Sequence, residues 1–375
     1  MIIKKRFILL FFYLSFINAN IIEFTITQYD IDLPTPSVSY PNEKYSTTLP
    51  LNTFLSCNIL WRTFQPKMIT EKITNKLEIF IERTYKCEEY MTDIILNNLQ
   101  INNLSFYIPN GLTWVRESGL ALGYHIKDES FSIVHNLFFN KKIEKLQFAF
   151  YNLFNKDKGA LYIGGIPSDK HKELPYKGIV GVNETLPTWG FKLKNIKYNN
   201  SVYQMNIPCI IHSAIDDVFI SNDIFQFMVN SVFKEEIEKH VCESNFLWIY
   251  NQNYLVCKSV IKGGNRIKFD FESFSIDLAI NDLFNQLHHS KFISNTKPNE
   301  FLNFSGAILG IGFLNLFNYT LFDYENKQIE FYSDTTAIKV NDNNQTLSFY
   351  IILSTISITT VNIVFLLINK FKSNN

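Results

Sequence analysis

The sequence predicts an all-β protein with two similar lobes, because one pattern of strands and turns occurs twice. Residues 307–332 and residues 119–164 each begin with an apolar run closed by glycine, continue with a helix-like segment and end in two strands. Two copies that start about 190 residues apart are typical of a duplicated unit. The chain has 375 residues, of which 46% are hydrophobic, and this is enough for each lobe to bury its own core.

The composition excludes some classes of partner and cofactor. Lysine plus arginine and aspartate plus glutamate are balanced at 35 each, so the chain has no net charge that would favour nucleic acid or a strongly charged substrate. The five cysteines show no C-x-x-C spacing. We therefore expect no nucleic-acid partner, no metal site and no cofactor.

The N-terminus has the features of a secretory signal peptide over residues 1–19. A basic start ends at Arg6, an apolar run covers Phe7–Phe16, and the small residue Ala19 closes the segment. This pattern predicts entry into the secretory pathway, where cysteines can form disulfides.

The C-terminus has the features of a membrane anchor. Residues 348–368 contain no charged side chain, and their length matches the hydrocarbon core of a bilayer. Lys370 and Lys372 follow in the tail 369–375, as expected of a cytoplasmic flank. Together the two ends predict a single-pass type I membrane protein of the secretory pathway or cell surface.

Between these ends we predict an N-terminal lobe over residues 20–188, a C-terminal lobe over residues 189–335 and a polar stalk over residues 336–347. In the first lobe, the segment 94–106 alternates as hairpin strands do, on either side of Asn97-Asn98. Asparagine tolerates the left-handed backbone that such a tight turn requires.

Three segments of the chain resemble the pepsin-like aspartic peptidases. They are GALYIGG at 159–165, TWGFKLKNIKY at 188–198 and ILGIGFLNLFNYTLFDYENKQIEFY at 308–332. The resemblance covers about residues 22–335. It implies a bilobal, pepsin-like β fold with a few short helices, to which the sequence adds one C-terminal transmembrane helix. It also implies a cleft between the lobes that binds extended peptides.

Catalysis in this family depends on two aspartates, one from each lobe and each within a D-[TS]-G motif. Two carboxylates in contact cannot both ionise, so one keeps a proton while the other acts as the base. The charged carboxylate takes a proton from a bound water, which then attacks the peptide carbonyl. The resemblance therefore implies a carboxylate at one position in each lobe.

The motif of the second lobe aligns without gaps but lacks its aspartate. In residues 209–225, CIIHSAIDDVFISNDIF, His212 takes the place of aspartate and is followed by Ser-Ala. A shifted alignment places Asp216 or Asp217 at the site, but bulky residues then replace the small residues of the motif. We keep both aspartates as alternative candidates for a catalytic carboxylate.

The motif of the first lobe aligns in two ways. Keeping the spacing to Trp61 puts Phe54 at the aspartate position, whereas matching Leu51-Asn-Thr to L-D-T puts Asn52 there and requires a two-residue insertion. Neither alignment supplies a carboxylate. The flap hairpin is altered too, because Ile81 stands where the family has a tyrosine and residues 77–87 contain no glycine.

These three differences predict a catalytically inactive pseudopeptidase that binds a peptide or protein ligand in its cleft. The family includes a variant with histidine in place of one catalytic aspartate, but that variant keeps the other aspartate. The first alternative is an active aspartic endopeptidase with a non-standard dyad. The second is a surface or adhesion protein on the same scaffold.

Cysteines and glycosylation sequons provide the remaining candidates. Cys242 and Cys257 can close one local disulfide loop and Cys57 and Cys87 another, which leaves Cys209 over. Asn-x-Ser/Thr sequons suggest glycosylation of a secreted chain. The candidate sites are Asn103, Asn183, Asn199, Asn303 and Asn344. A sixth sequon, at Asn318, lies in a segment expected to be partly buried.

Overall fold

The structure is a computed structural model. It describes residues 21–25, 37–39, 46–49, 51–53, 55, 57–59, 71–77, 87–96, 98–109, 119–126, 129–151, 159–171, 174, 176–186, 188–215, 217–247, 252–257, 266–280, 292–295, 306–333 and 338–340. The predicted signal peptide, the flap position Ile81 and the predicted C-terminal span lie outside these residues. No helix in the described part of the chain is long and apolar enough to cross a membrane.

The elements of the first half are mainly strands. They are β1 Ile22–Thr25, β2 Ser37–Ser39, β3 Ser46–Thr48, β4 Leu51–Asn52, β5 Asn58–Ile59, β6 Glu71–Leu77, β7 Cys87–Leu96, β8 Leu99–Pro109, β9 Leu120–Ala121, β10 Gln147–Tyr151, β11 Ala160–Ile163 and β12 Tyr176–Gly181. The helices are a 3-10 turn at Glu129–Phe131, α1 Ile133–Phe139 and α2 Ser168–His171.

The elements of the second half are again mainly strands with a few short helices. The strands are β13 Gly190–Tyr198, β14 Ser201–Ile211, β15 Val218–Ser221, β16 Cys242–Leu247, β17 Gln252–Cys257, β18 Arg266–Phe271, β19 Phe274–Ala279, β20 Phe292–Asn295, β21 Ala307–Leu309, β22 Tyr319–Asp323, β23 Gln328–Ser333 and β24 Ile338–Val340. The helices are α3 Asn222–Phe227, a π-helical turn Met228–Val232, α4 Lys234–Glu238 and α5 Ile311–Leu314.

The two halves meet in a shared six-stranded sheet of order β1-β11-β10-β22-β23-β12. At its centre, β10 of one repeat pairs antiparallel with β22 of the other. Phe148 and Phe150 from β10 and Phe322 from β22 point to the same face and are buried in the main core. The alternation of buried aromatic residues in both copies of the repeat is thus explained by one common sheet.

Each half also has a sheet of its own. The first half forms β3-β2-β7-β8-β5, with β6 on β7, and the second half forms the ten-stranded sheet β16-β17-β20-β15-β21-β14-β13-β18-β19-β24. The turn between β7 and β8 has Asn98 at φ 69°, the left-handed conformation expected of the Asn-Asn pair. Strand β24 lies within the predicted stalk and pairs with β19, so the second sheet extends past residue 335.

The structure confirms an all-β, two-lobed architecture, with small shifts at the ends of the elements. The helix expected after Gly310 begins at once, at Ile311, because this glycine has an extended backbone and caps the helix. The first repeat has a longer helix, α1, whose N-cap Ser132 accepts the N–H of His135. Both helices contribute buried apolar side chains to the main core.

Strand β12 supports a stability prediction with a matched control. A Cβ added at Gly178 would lie 2.6 Å from ring carbons of Phe274 in β19, whereas a Cβ at Gly181 would have no atom within 4 Å. We expect Gly178→Ala to lower the free energy of unfolding by about 1–3 kcal/mol, because the packed ring cannot move without strain. Gly181→Ala should leave it unchanged or slightly raised. Denaturant unfolding of both variants tests this, and equal stabilities would contradict it.

Candidate functional site

Two short turns, one from each half of the chain, are joined by four reciprocal hydrogen bonds. Thr53 N–H donates to Ser213 Oγ over 3.0 Å, and Ser213 N–H donates to Thr53 Oγ1 over 2.9 Å. The Thr53 hydroxyl donates to the Ile211 carbonyl over 3.0 Å, and the Ser213 hydroxyl donates to the Leu51 carbonyl over 2.5 Å. Thr53 and Ser213 are both fully buried. Each hydroxyl therefore accepts from one backbone N–H and donates to one backbone carbonyl of the opposite half.

This exchange makes Thr53 and Ser213 equivalent, and the residues that precede them are counterparts too. These are Asn52, the last residue of β4, and His212, which follows β14. In this pairing Phe54 follows Thr53 at the place where the second turn has Ala214. Phe54 itself and the side chain of Asn52 lie outside the described residues.

Each turn is carried by a short strand that pairs in parallel with one of the repeated apolar runs. In the first half, β4 pairs with β9, which matches Asn52 with Ala121. In the second half, β14 pairs with β21, which matches Ile211 with Leu309. The duplicated run of the sequence thus has one structural role in both halves, because it supports the strand that leads into the turn.

His212 is held in its turn by backbone hydrogen bonds. Its N–H donates to the Leu309 carbonyl over 3.0 Å, and its carbonyl accepts the Ile215 N–H over 3.3 Å. The Ala214 N–H donates to His212 Nδ1 over 3.3 Å, so Nδ1 is the unprotonated ring nitrogen of the neutral side chain. The residue is only 9% exposed, and this burial lowers the pKa of the imidazole to about 4. His212 is therefore neutral near pH 7.

Thr188 and Trp189 support both turns, and the sequence analysis did not single them out. The Thr188 hydroxyl donates to the Thr53 carbonyl. The Trp189 carbonyl accepts the Ile211 N–H over 2.9 Å, and its indole N–H donates to the Leu122 carbonyl over 2.6 Å. Both side chains are fully buried. The only sequence signal was their place at the start of the family-like segment 188–198.

Asn58 is a second supporting residue that the sequence analysis missed. Its Oδ1 accepts the Ala121 N–H over 2.8 Å, and its Nδ2 donates to the Ser105 carbonyl over 3.0 Å. It is fully buried, so these bonds satisfy an amide that would otherwise be costly to bury. Asn58 therefore ties β9, next to Asn52, to strand β8.

The alternative carboxylates are described only in part. Asp217 is half-buried between the His212 turn and β15, and Asp216 lies outside the described residues. Ile81, the flap-equivalent residue, lies outside them as well. The described residues contain no group of three histidine, cysteine, aspartate or glutamate side chains that could hold a metal ion.

The cysteine candidates comprise one disulfide, one pair that stays a prediction and one buried thiol. Cys242 and Cys257 lie opposite each other at the base of the β16–β17 hairpin and form a disulfide. Cys57 precedes β5 and Cys87 begins β7, and these two strands pair with opposite edges of β8. The side chain of Cys87 lies outside the described residues, and the pairing of Cys57 with Cys87 stays a prediction. Cys209 is a buried thiol whose pKa burial raises to about 12.

The glycosylation candidates also fall into groups. Asn103 and Asn199 are exposed, with left-handed φ angles of 55° and 51°. Asn183 is half-buried, and its Oδ1 accepts the hydroxyl of Thr185 over 2.8 Å. Asn318 is half-buried, and its N–H donates to a carbonyl in β23. Asn303 and Asn344 lie outside the described residues, and glycosylation stays a prediction at every site.

Comparisons with known proteins agree with this architecture. The family model of eukaryotic aspartyl proteases matches residues 92–333, which is more than half of the chain. The match includes the His212 turn and begins after the Asn52 turn. A crystal structure of an aspartic proteinase from Irpex lacteus aligns with a TM-score of 0.61 and 14% sequence identity. The alignment covers 84% of this chain and 99% of the other, and at this identity it supports the fold alone. No curated protein sequence matches the chain.

Proposed function

The chain belongs to the eukaryotic aspartyl protease family, and we propose that it is a member without peptidase activity that binds a peptide or protein in its cleft. The observation that carries this proposal is the reciprocal hydrogen bonding of Thr53 and Ser213. It supports an alignment in which Asn52 and His212 take the two positions that hold aspartate in the D-[TS]-G motifs of this family.

Asn52 and His212 do not provide the chemistry that two aspartates provide. An asparagine amide does not take up a proton in water at ordinary pH, so it is not a general base. His212 is neutral near pH 7, but its Nδ1 already accepts the Ala214 N–H and its pKa of about 4 makes it a weak base. The pair therefore has no carboxylate that could activate a water molecule.

Peptide binding does not depend on the missing carboxylates. An extended peptide can be held by main-chain hydrogen bonds to a strand or hairpin of the protein, with side chains in adjacent pockets. The hydrogen bonds between Thr53 and Ser213, together with those of Thr188 and Trp189, fix the two turns at the interface between the halves. Turns that are fixed before a ligand arrives lower the conformational cost of binding it. This favours a retained binding cleft over a scaffold that has lost both functions.

We further propose that the protein is a single-pass type I membrane protein of the secretory pathway or cell surface. The support comes from the sequence of residues 1–19 and 348–368. The disulfide between Cys242 and Cys257 agrees with folding in an oxidising compartment.

A cleavage assay on the purified full-length protein tests the proposed lack of activity. The protein is incubated with a peptide library from pH 3 to pH 7, with and without a statine-type inhibitor. We expect no inhibitor-sensitive cleavage at any pH, because the loss of a general base alone lowers the rate of cleavage by about 10²–10⁴-fold. Peptides retained by the protein are identified in the same experiment, and we expect an enriched set of extended sequences.

Two variants identify the source of any cleavage. Asp216→Asn and Asp217→Asn each remove one alternative carboxylate and leave Asn52 and His212 in place. Inhibitor-sensitive cleavage that either variant abolishes would overturn the proposal in favour of a non-standard dyad. A protein that neither cleaves nor retains any peptide would overturn the binding half of the proposal.

A further inference from the structure

An apolar cavity of about 40 Å³ lies inside the C-terminal lobe. Its lining comes from strands β13, β15, β18, β20 and β21 and from the helical segments that follow β15 and β21. Val218, Met228, Ala307 and Leu309 are among the lining residues, and every lining residue is apolar. The apolar lining of the cavity contrasts with the polar, hydrogen-bonded turns at Thr53 and Ser213.

The lining determines what the cavity can hold. A cavity needs about 10–15 Å³ to hold one water molecule, but a water also needs two to four polar partners. This cavity has the room, but its described lining residues are all apolar, so water is disfavoured in it. An uncharged apolar guest would gain dispersion contacts with the walls that an empty cavity lacks.

One wall of the cavity is continuous with the His212 turn. Val218 pairs with Leu309 across β15 and β21, and both side chains line the cavity. The carbonyl of the same Leu309 accepts the His212 N–H, and the Ile215 carbonyl accepts the Ile311 N–H over 2.8 Å. A guest that changes the packing of this wall therefore acts on the strand to which the turn is hydrogen-bonded.

We propose that this cavity is a binding site for one small, uncharged apolar molecule and that its occupation changes the backbone environment of His212. The guest is of the class of xenon or a short hydrocarbon, because the cavity admits only a few heavy atoms. The proposal does not depend on whether the protein cleaves peptides.

Xenon is the probe, and the methionine methyl groups of the full-length protein report on it by NMR. Met228 lines the cavity, whereas Met91 lies in strand β7 of the other lobe and is the internal control. We expect increasing xenon pressure to shift the Met228 methyl resonance in a saturable manner and to leave Met91 unchanged. We also expect the His212 amide resonance to move with the same saturation curve.

Two filled variants complete the test. Ala307→Leu fills the cavity from β21, and Ala307→Val is a milder substitution because a β-branched residue suits a strand. Either variant should lose at least half of the Met228 shift at the xenon pressure that saturates the unsubstituted protein. An absent Met228 shift, an equal shift at Met91, or a full shift in a folded variant would overturn the binding site. A Met228 shift without any change at the His212 amide would overturn its coupling to the turn.

Discussion

Replacing Thr53 by valine should lower the free energy of unfolding by about 2–6 kcal/mol. Valine keeps the shape of the side chain but removes the hydroxyl that accepts the Ser213 N–H and donates to the Ile211 carbonyl. Both backbone groups would then be left buried without these bonds, and each costs about 1–3 kcal/mol in that state. Denaturant unfolding at pH 7 measures the change.

A surface threonine provides the control for this substitution. The Thr185 hydroxyl also donates a hydrogen bond, to Asn183 Oδ1, but both groups are accessible to water. Thr185→Val should therefore change stability by less than about 0.5 kcal/mol. A double-mutant cycle of Thr53→Val with Ser213→Ala should show non-additivity, because each hydroxyl accepts the backbone N–H of the other residue and both belong to one hydrogen-bond network. Additive effects, or equal effects at Thr53 and Thr185, would show that the bonds between the turns do not hold the two halves together.

The sequence predicted the repeated part of the fold because the repeat is a local pattern. Residues 147–151 and 319–323 carry their strand signal in their own alternation, and the apolar runs at 119–123 and 307–310 end at glycine in both halves. What local patterns cannot give is the partner of each strand. The pairing of β10 with β22 joins segments about 170 residues apart and depends on packing around a common core.

The candidate site was predictable in one half and ambiguous in the other. His212 was placed by a gapless alignment, and the structure brings its turn to the interface between the halves. Asn52 and Phe54 could not be separated by sequence, because an insertion changes the spacing to Trp61. The information that relates Asn52 to His212 is a set of hydrogen bonds between residues 160 positions apart. A local pattern in the sequence does not reveal hydrogen bonds between residues so far apart.

The supporting residues do not depend on the side chains at positions 52 and 212. Thr53, Ser213, Thr188 and Trp189 bind one another or the backbone, and none of their described hydrogen bonds uses the side chain of Asn52 or His212. The stability of the interface is therefore separable from the chemistry of the two preceding residues. A change at those two positions can therefore alter the chemistry of the site without removing the hydrogen bonds that join the two halves.

The protein should lose stability when the pH falls from about 6.5 towards 4. Burial lowers the pKa of both His212 and His135 to about 4, from 6.5 in the unfolded chain. Between these two values the unfolded state binds protons that the folded state does not, so the free energy of unfolding decreases as the pH decreases. Complete protonation of either histidine corresponds to a loss on the order of 3 kcal/mol. Denaturant unfolding at pH 7, 5.5 and 4.5 measures the slope.

Histidine variants separate this effect from the titration of carboxylates in the same range. His212→Gln and His135→Gln should each reduce the pH slope by up to about 1.4 kcal/mol per pH unit, which corresponds to one proton. His125→Gln is the control for the substitution itself, because it makes the same change at an exposed position. Unchanged slopes in both the His212 and the His135 variants would mean that these histidines do not govern the acid response.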